Sequence, residues 1–125
     1  QVLVSTPAVT ILSSPVRHLI PTIGLRLTLA GSGKVAAYSC DTEPCQEVLE
    51  LAAGTDLLIH EAAGSGKGHS SPAQAGEIAR KAEVGRLVLI HYGLQEKPEA
   101  LAAQASAAFP GPVEAARDWM VIPLD

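Results

Sequence analysis

Hydrophobic and polar positions change period part-way along this chain. Leu25, Leu27 and Leu29 alternate with Arg26 and Thr28, the two-residue repeat of a half-buried strand. Val9-Thr10-Ile11-Leu12 is rich in β-branched residues and predicts a strand ending near Ser13-Ser14-Pro15. Val16 to Pro21 carries Arg17 and His18 into a loop. Gly31-Ser32-Gly33 predicts a tight turn, and Lys34 to Ser39 a returning strand, so this region reads as a β-hairpin. The period then lengthens. Val48, Leu49, Leu51 and Ala52 form the apolar side of a first helix, with Thr42 as its expected cap, Pro44 in its first turn and Gly54 just past its end. Ser71-Pro72 opens a second helix, carrying Ala75, Ile78, Ala79 and Ala82, and Gly85 closes it. Pro98 opens a third, running to Ala108 before Pro110-Gly111-Pro112. Between the helices lie the short apolar runs Leu57–Ile59 and Leu87–Ile90. Val113–Ala115 and Met120–Ile122 read as closing strands around Arg117-Asp118. The expectation is an α/β domain in which a hairpin leads into β-α-β-α-β-α-β. The two runs that do not alternate suit strands covered on both faces.

Composition narrows the class. The 125 residues are 47% hydrophobic and 18% charged, which suits one folded domain spanning 1–125 and argues against disorder. The four aromatic side chains are Tyr38, Tyr92, Phe109 and Trp119, so Ala, Val, Leu and Ile must build the core. A net charge of −4 argues against a free-standing nucleic-acid binder, whose affinity comes from a basic face. Cys40 and Cys45 lie too close together to suggest a disulfide framework, and a cytoplasmic location is expected. No apolar run reaches membrane-spanning length, so no membrane is expected as a partner. The chain opens on Gln1 rather than Met, from which we expect a trimmed product of something longer.

Polar residues gather where strands end. Lys34–Ser39 runs into Cys40-Asp41-Thr42, Leu57–Ile59 into His60-Glu61, and Leu87–Ile90 into His91, while the Gly-rich loop adds His69. Ligands in open α/β sheets bind at the carboxyl ends of strands. Carboxylate and imidazole together suit zinc, manganese or iron. Each residue also has a plainer reading. Asp41 sits where a carboxylate favours a helix N-terminus, His91 could be a hydrogen-bonded core histidine, His69 and Glu61 could be solvated, and His18 beside Arg17 reads as structural. The joint placement at three successive strand ends is what favours a site.

These segments resemble a known family. Tyr38-Ser39-Cys40-Asp41-Thr42, Leu57-Leu58-Ile59-His60-Glu61-Ala62, Gly68-His69-Ser70-Ser71 and Leu87-Val88-Leu89-Ile90-His91-Tyr92 look like the successive C-terminal motifs of ribonuclease Z-like metallo-β-lactamase-fold proteins. His18-Leu19-Ile20-Pro21-Thr22-Ile23-Gly24 looks like the family's His-x-x-Pro-x-x-Gly segment. The resemblance implies one half, in βα-type layers, of an αββα sandwich. It implies that Asp41 bridges two metal ions and that His91 is a terminal ligand. His60 and Glu61 match the start of a His-Glu-Ala-Thr motif, and His69 the histidine of His-Ser-Thr. In the implied chemistry His60, Glu61 and His69 are catalytic. The glutamate orients His69, which protonates the leaving oxygen, while zinc, or else manganese or iron, activates water and neutralises developing charge.

The same resemblance exposes what the chain lacks. The family's main motif, His-x-His-x-Asp-His, does not occur, and with His18 taken as structural a further ligand histidine is missing too. A binuclear centre is therefore expected only if the N-terminal half is supplied, by a longer parent or by a homodimer, and the isolated chain is expected to be inactive. Tyr92-Gly93-Leu94-Gln95 lacks the Ser and Arg that tRNA-processing members place after this histidine. The expected function of the parent is thus a phosphodiesterase or ribonuclease Z-like hydrolase, with RNA as one possible substrate. The alternatives are a superfamily hydrolase of thioesters, lactams or sulfate esters, or a non-catalytic, self-associating half-fold.

Overall fold

The computed structural model describes residues 1–124 and contains a seven-stranded sheet in simple sequential order. The strands are β1 (Val2–Ser5), β2 (Val9–Val16), β3 (Thr22–Leu29), β4 (Val35–Tyr38), β5 (Leu57–Glu61), β6 (Leu87–Ile90) and β7 (Val113–Ala115). Helices α1 (Gln46–Ala52), α2 (Pro72–Lys81) and α3 (Pro98–Ser106) join the last four strands. Strands β1 to β4 pair antiparallel through short turns. From β4 to β7 the pairs are parallel, each crossing over through one helix, because parallel neighbours need a long connection.

All three helices lie on one face. Ala37, Leu58, Leu87, Leu89 and Ala115 of the sheet pack there against Val48, Ala52, Ala75, Ile78, Ala79, Leu101 and Ala105 of the helices. Burying each Leu contributes roughly 1.5–3 kcal/mol. The opposite face bears Ala36, Leu57 and Val88, with Ile59, Ile90 and the tail residues Ile122 and Leu124 against them. Further along that face, Val9, Ile11, Leu25, Leu27 and Leu29 are only partly buried, and among the described residues no helix covers them. The molecule is one sheet with one helical layer, as expected for half of a sandwich.

Local chemistry explains most boundaries. The Ser71 hydroxyl accepts a hydrogen bond from the Gln74 amide while the Gln74 side-chain oxygen accepts one from the Ser71 amide, and Pro72 opens α2, a reciprocal cap that fixes the helix start. Thr42 does not cap α1. Its hydroxyl accepts from the Arg17 amide and donates to the Glu43 carbonyl, and α1 begins later, after Cys45, with no side-chain cap. One other expectation fails, since Met120–Ile122 is not a strand, and β1 precedes the first strand expected from the sequence.

Candidate metal centre

Backbone geometry lifts the polar residues onto one rim. β4 ends at Tyr38, and Cys40 then takes a left-handed φ of 51° that turns Asp41 outward. β6 ends at Ile90, and His91 takes a left-handed φ of 52°. Non-glycine residues pay for this conformation and tend to adopt it at functional sites. Burial pushes the Cys40 thiol up from its ordinary value, so it stays uncharged beside Asp41.

Asp41, His69 and His91 each offer a ligand atom, all lying within 4.8 Å of one another. His91 Nδ1 is 2.9 Å from Asp41 Oδ1, and the rings of His69 and His91 are 5.5 Å apart. One carboxylate oxygen and two imidazole nitrogens at this spacing form a donor set for a divalent cation with an open position left for water or substrate.

Glu61 organises the side of the rim behind His69. Its side chain is fully buried. Oε1 accepts from the Thr42 amide at 3.0 Å and from His69 Nδ1 at 2.9 Å, and Oε2 accepts from the Ala63 amide at 2.9 Å. Because a carboxylate only accepts, His69 donates from Nδ1, which leaves Nε2 as its nitrogen without that tie. Ser39 and Ser70 tie the same corner, Ser39 Oγ accepting from the Glu61 amide and Ser70 Oγ donating to the Thr42 carbonyl.

His60 is not brought to the cluster. Successive strand residues point to opposite faces. Glu61 therefore turns to the rim, while His60 is fully buried, its Nδ1 donating to the Glu61 carbonyl and its Nε2 without a partner. Burial holds its pKa below the usual histidine value.

His18, read from sequence as structural, stands in the site instead. Its Nδ1 donates to the Gly68 carbonyl at 2.7 Å, which leaves Nε2 as an acceptor 3.9 Å from Asp41 Oδ2. Its ring meets that of His69 edge-on, with centroids 4.9 Å apart. Two acceptors facing each other form an arrangement that a cation satisfies, and an Nδ1–H held by a carbonyl is how ligating imidazoles are commonly oriented. The sequence signal was the His-x-x-Pro-x-x-Gly segment. A loop position beside Arg17 gives no sign of which way that histidine's ring faces.

Known proteins share this fold and much of this sequence. A family profile described as the beta-lactamase superfamily domain matches residues 2–92. Ribonuclease BN of Salmonella paratyphi B is 36% identical over 109 residues, an alignment covering 78% of this chain and 35% of that protein. The chain therefore spans about a third of the length of the curated relatives it matches. Among solved structures, the metallo-beta-lactamase fold protein YhfI from Bacillus subtilis superposes with a TM-score of 0.84 at 28% identity, covering 94% of this chain and 50% of that one. Human tRNase Z, short form, gives 0.75 at 25% identity, covering 99% of this chain and 46% of that one.

Proposed function

The chain belongs to the beta-lactamase superfamily, and on that premise we propose that it is the C-terminal half of a metal-dependent hydrolase whose substrates are phosphodiesters. The observation that carries this reading is the Glu61–His69 pair beside Asp41 and His91. A phosphodiester expels an alkoxide, which needs a proton, whereas a thioester expels a stable thiolate. An imidazole fixed by a buried carboxylate supplies that proton when both its nitrogens are protonated: Nδ1–H stays on Glu61, the Nε2 proton passes to the alkoxide, and the ring is left neutral.

In this reading Asp41 and His91 hold the cation, with His18 Nε2 as a further ligand, while His69, the third member of the cluster, serves as the acid rather than as a ligand. Bound zinc, the first candidate ahead of manganese and iron, would act as a Lewis acid and lower the pKa of water. Glu61 holds the Nδ1–H of His69 and so fixes the orientation of the ring. A cavity of about 820 Å³ beside His91, between Tyr92, Leu94 and Arg117, gives room for the group bonded to phosphorus. The remaining ligands come from an N-terminal half or a second copy packed on the uncovered apolar face of β2 and β3, and the 125 residues alone are inactive. Two free thiols suit a cytoplasmic setting.

Zinc content and turnover of a dinucleotide phosphodiester, whose leaving group is an alkoxide, test the proposal, the latter on the full-length parent. Asp41→Ala with His91→Ala should abolish zinc retention. His69→Ala should keep most of the zinc and lose turnover. Retention of zinc by the double variant, or turnover of thioesters but not phosphodiesters by the parent, would overturn it.

A further inference from the structure

Glu43 offers no ligand atom to the cluster, yet it closes a ring of hydrogen bonds around His18. The Glu43 amide donates to the Arg17 carbonyl at 2.7 Å. Glu43 Oε1 accepts from the Gly68 amide at 2.8 Å. The Gly68 carbonyl accepts from His18 Nδ1, and His18 follows Arg17 in the chain. We propose that Glu43 is a positioning residue of the metal centre, clamping Gly68 so that Gly68 in turn sets the angle of the His18 ring. This rests on the reading of His18 as a ligand.

The clamp is needed because the segment carrying Gly68 has no regular structure between β5 and α2. Its backbone ties are short: the His69 amide donates to the Gly66 carbonyl and the Gly64 amide to the Ser70 carbonyl. His69 and Ser70 anchor the residues that follow through Glu61 and the Thr42 carbonyl, and the bond from Glu43, crossing 25 residues, holds the amide of Gly68 itself. Gly68 is buried at a φ of 83°, and a Cβ there would lie 2.9 Å from His18 Nδ1 and 3.0 Å from Leu19 Cγ. The loop therefore meets the ring backbone to side chain, with no side chain of its own to lock the contact. The amide and carbonyl of Gly68 belong to successive peptide units, so no single polarised amide links Glu43 to His18. The coupling is one of position, and it depends on an acceptor oxygen at the Glu43 distance rather than on negative charge.

Three variants separate these possibilities: Glu43→Ala, Glu43→Gln and Glu43→Asp. Zinc affinity is read by competition with a chromophoric chelator, and the His18 tautomer and Gly68 amide exchange by nitrogen-15 NMR. Glu43→Ala should weaken zinc about tenfold, the scale at which groups behind metal ligands act. It should also speed Gly68 exchange and broaden the His18 Nδ1–H signal. Glu43→Gln, which keeps the acceptor, should stay within about threefold of wild type. Glu43→Asp, which keeps the charge but shortens the reach, should resemble Glu43→Ala. The proposal falls if Glu43→Ala leaves the His18 and Gly68 signals unchanged, or if Glu43→Asp holds zinc and Glu43→Gln does not. Should Glu43→Ala fail to fold, the Gln and Asp pair still decides. If wild type binds no zinc, the functional reading fails, while the NMR signals still judge the clamp.

Discussion

Replacing Glu61 by Gln is a severe test of how the rim is held together. The carboxylate takes three N–H donors, two on Oε1 and one on Oε2. Gln can place its oxygen at the Oε1 position and keep Thr42 and His69, but its NH₂ then confronts the Ala63 amide. The flipped amide would confront two donors, so the first orientation is adopted. One charge-assisted bond is lost, at about 1.5–3 kcal/mol, and the two survivors lose their charge assistance. Ala63 is exposed, so water can reach its amide and the further penalty for an orphaned donor is small. We expect a loss of about 2–3 kcal/mol, equivalent to about 6–15 °C in Tm for a domain of this size. Urea unfolding followed by circular dichroism measures it, with an unchanged m-value showing that the folded state keeps its extent. Hydrogen exchange should quicken at Thr42 and from Ala63 to His69, and nowhere else. A loss under about 0.5 kcal/mol, or exchange changes spread over the helices, would refute the view of Glu61 as the centre of the rim.

Gly76→Ala should destabilise the chain by about 1–3 kcal/mol, because the new Cβ would lie 2.4 Å from the Ala105 carbonyl oxygen, a backbone atom that cannot move aside cheaply; thermal unfolding shows it. Cys40→Gly should raise stability by about 1 kcal/mol by removing a side chain from a φ of 51°, and a lowered Tm would count against strain at that turn. Stability should also fall in acid because of His60. Its folded pKa is depressed by burial, so below its ordinary value, near pH 6.5, the unfolded chain takes up a proton that the folded chain refuses. The contribution is present in full above that pH and is lost below it at up to about 1.4 kcal/mol per pH unit, until the folded pKa is reached. His60→Gln should flatten the pH dependence between 7.5 and 5.5, and an unchanged slope would assign it to another group.

Much of this fold is legible because its elements announce themselves locally. The alternation of Leu25, Leu27 and Leu29, the Gly31–Gly33 turn and the Ser71-Pro72 start all depend on near neighbours in the chain, and all appear where expected. What escaped depends on distant partners. Val2–Ser5 is exposed throughout and becomes a strand only by pairing with β2. Thr42 looks like a cap by type, but its hydroxyl is claimed by Arg17 from 25 residues away. The site divides in the same way. Asp41, Glu61 and His91 could be read because strand ends point to a rim. The direction of the His18 ring is set by Gly68, 50 residues on, and no spacing rule encodes that.

The switch from antiparallel to parallel pairing at β4 also orders events in time. Strands β1 to β4 are joined by short turns and can pair as soon as their residues are available, since closing small loops is fast. The rim cannot. Asp41 and His91 are 50 positions apart, and their strands become near neighbours only after two helical crossovers have docked on β5. During synthesis, capacity to hold a cation must therefore lag behind most of the secondary structure. A partly folded chain with a finished hairpin ribbon would bind none, so metal capture would report completion of the sheet rather than initiate it.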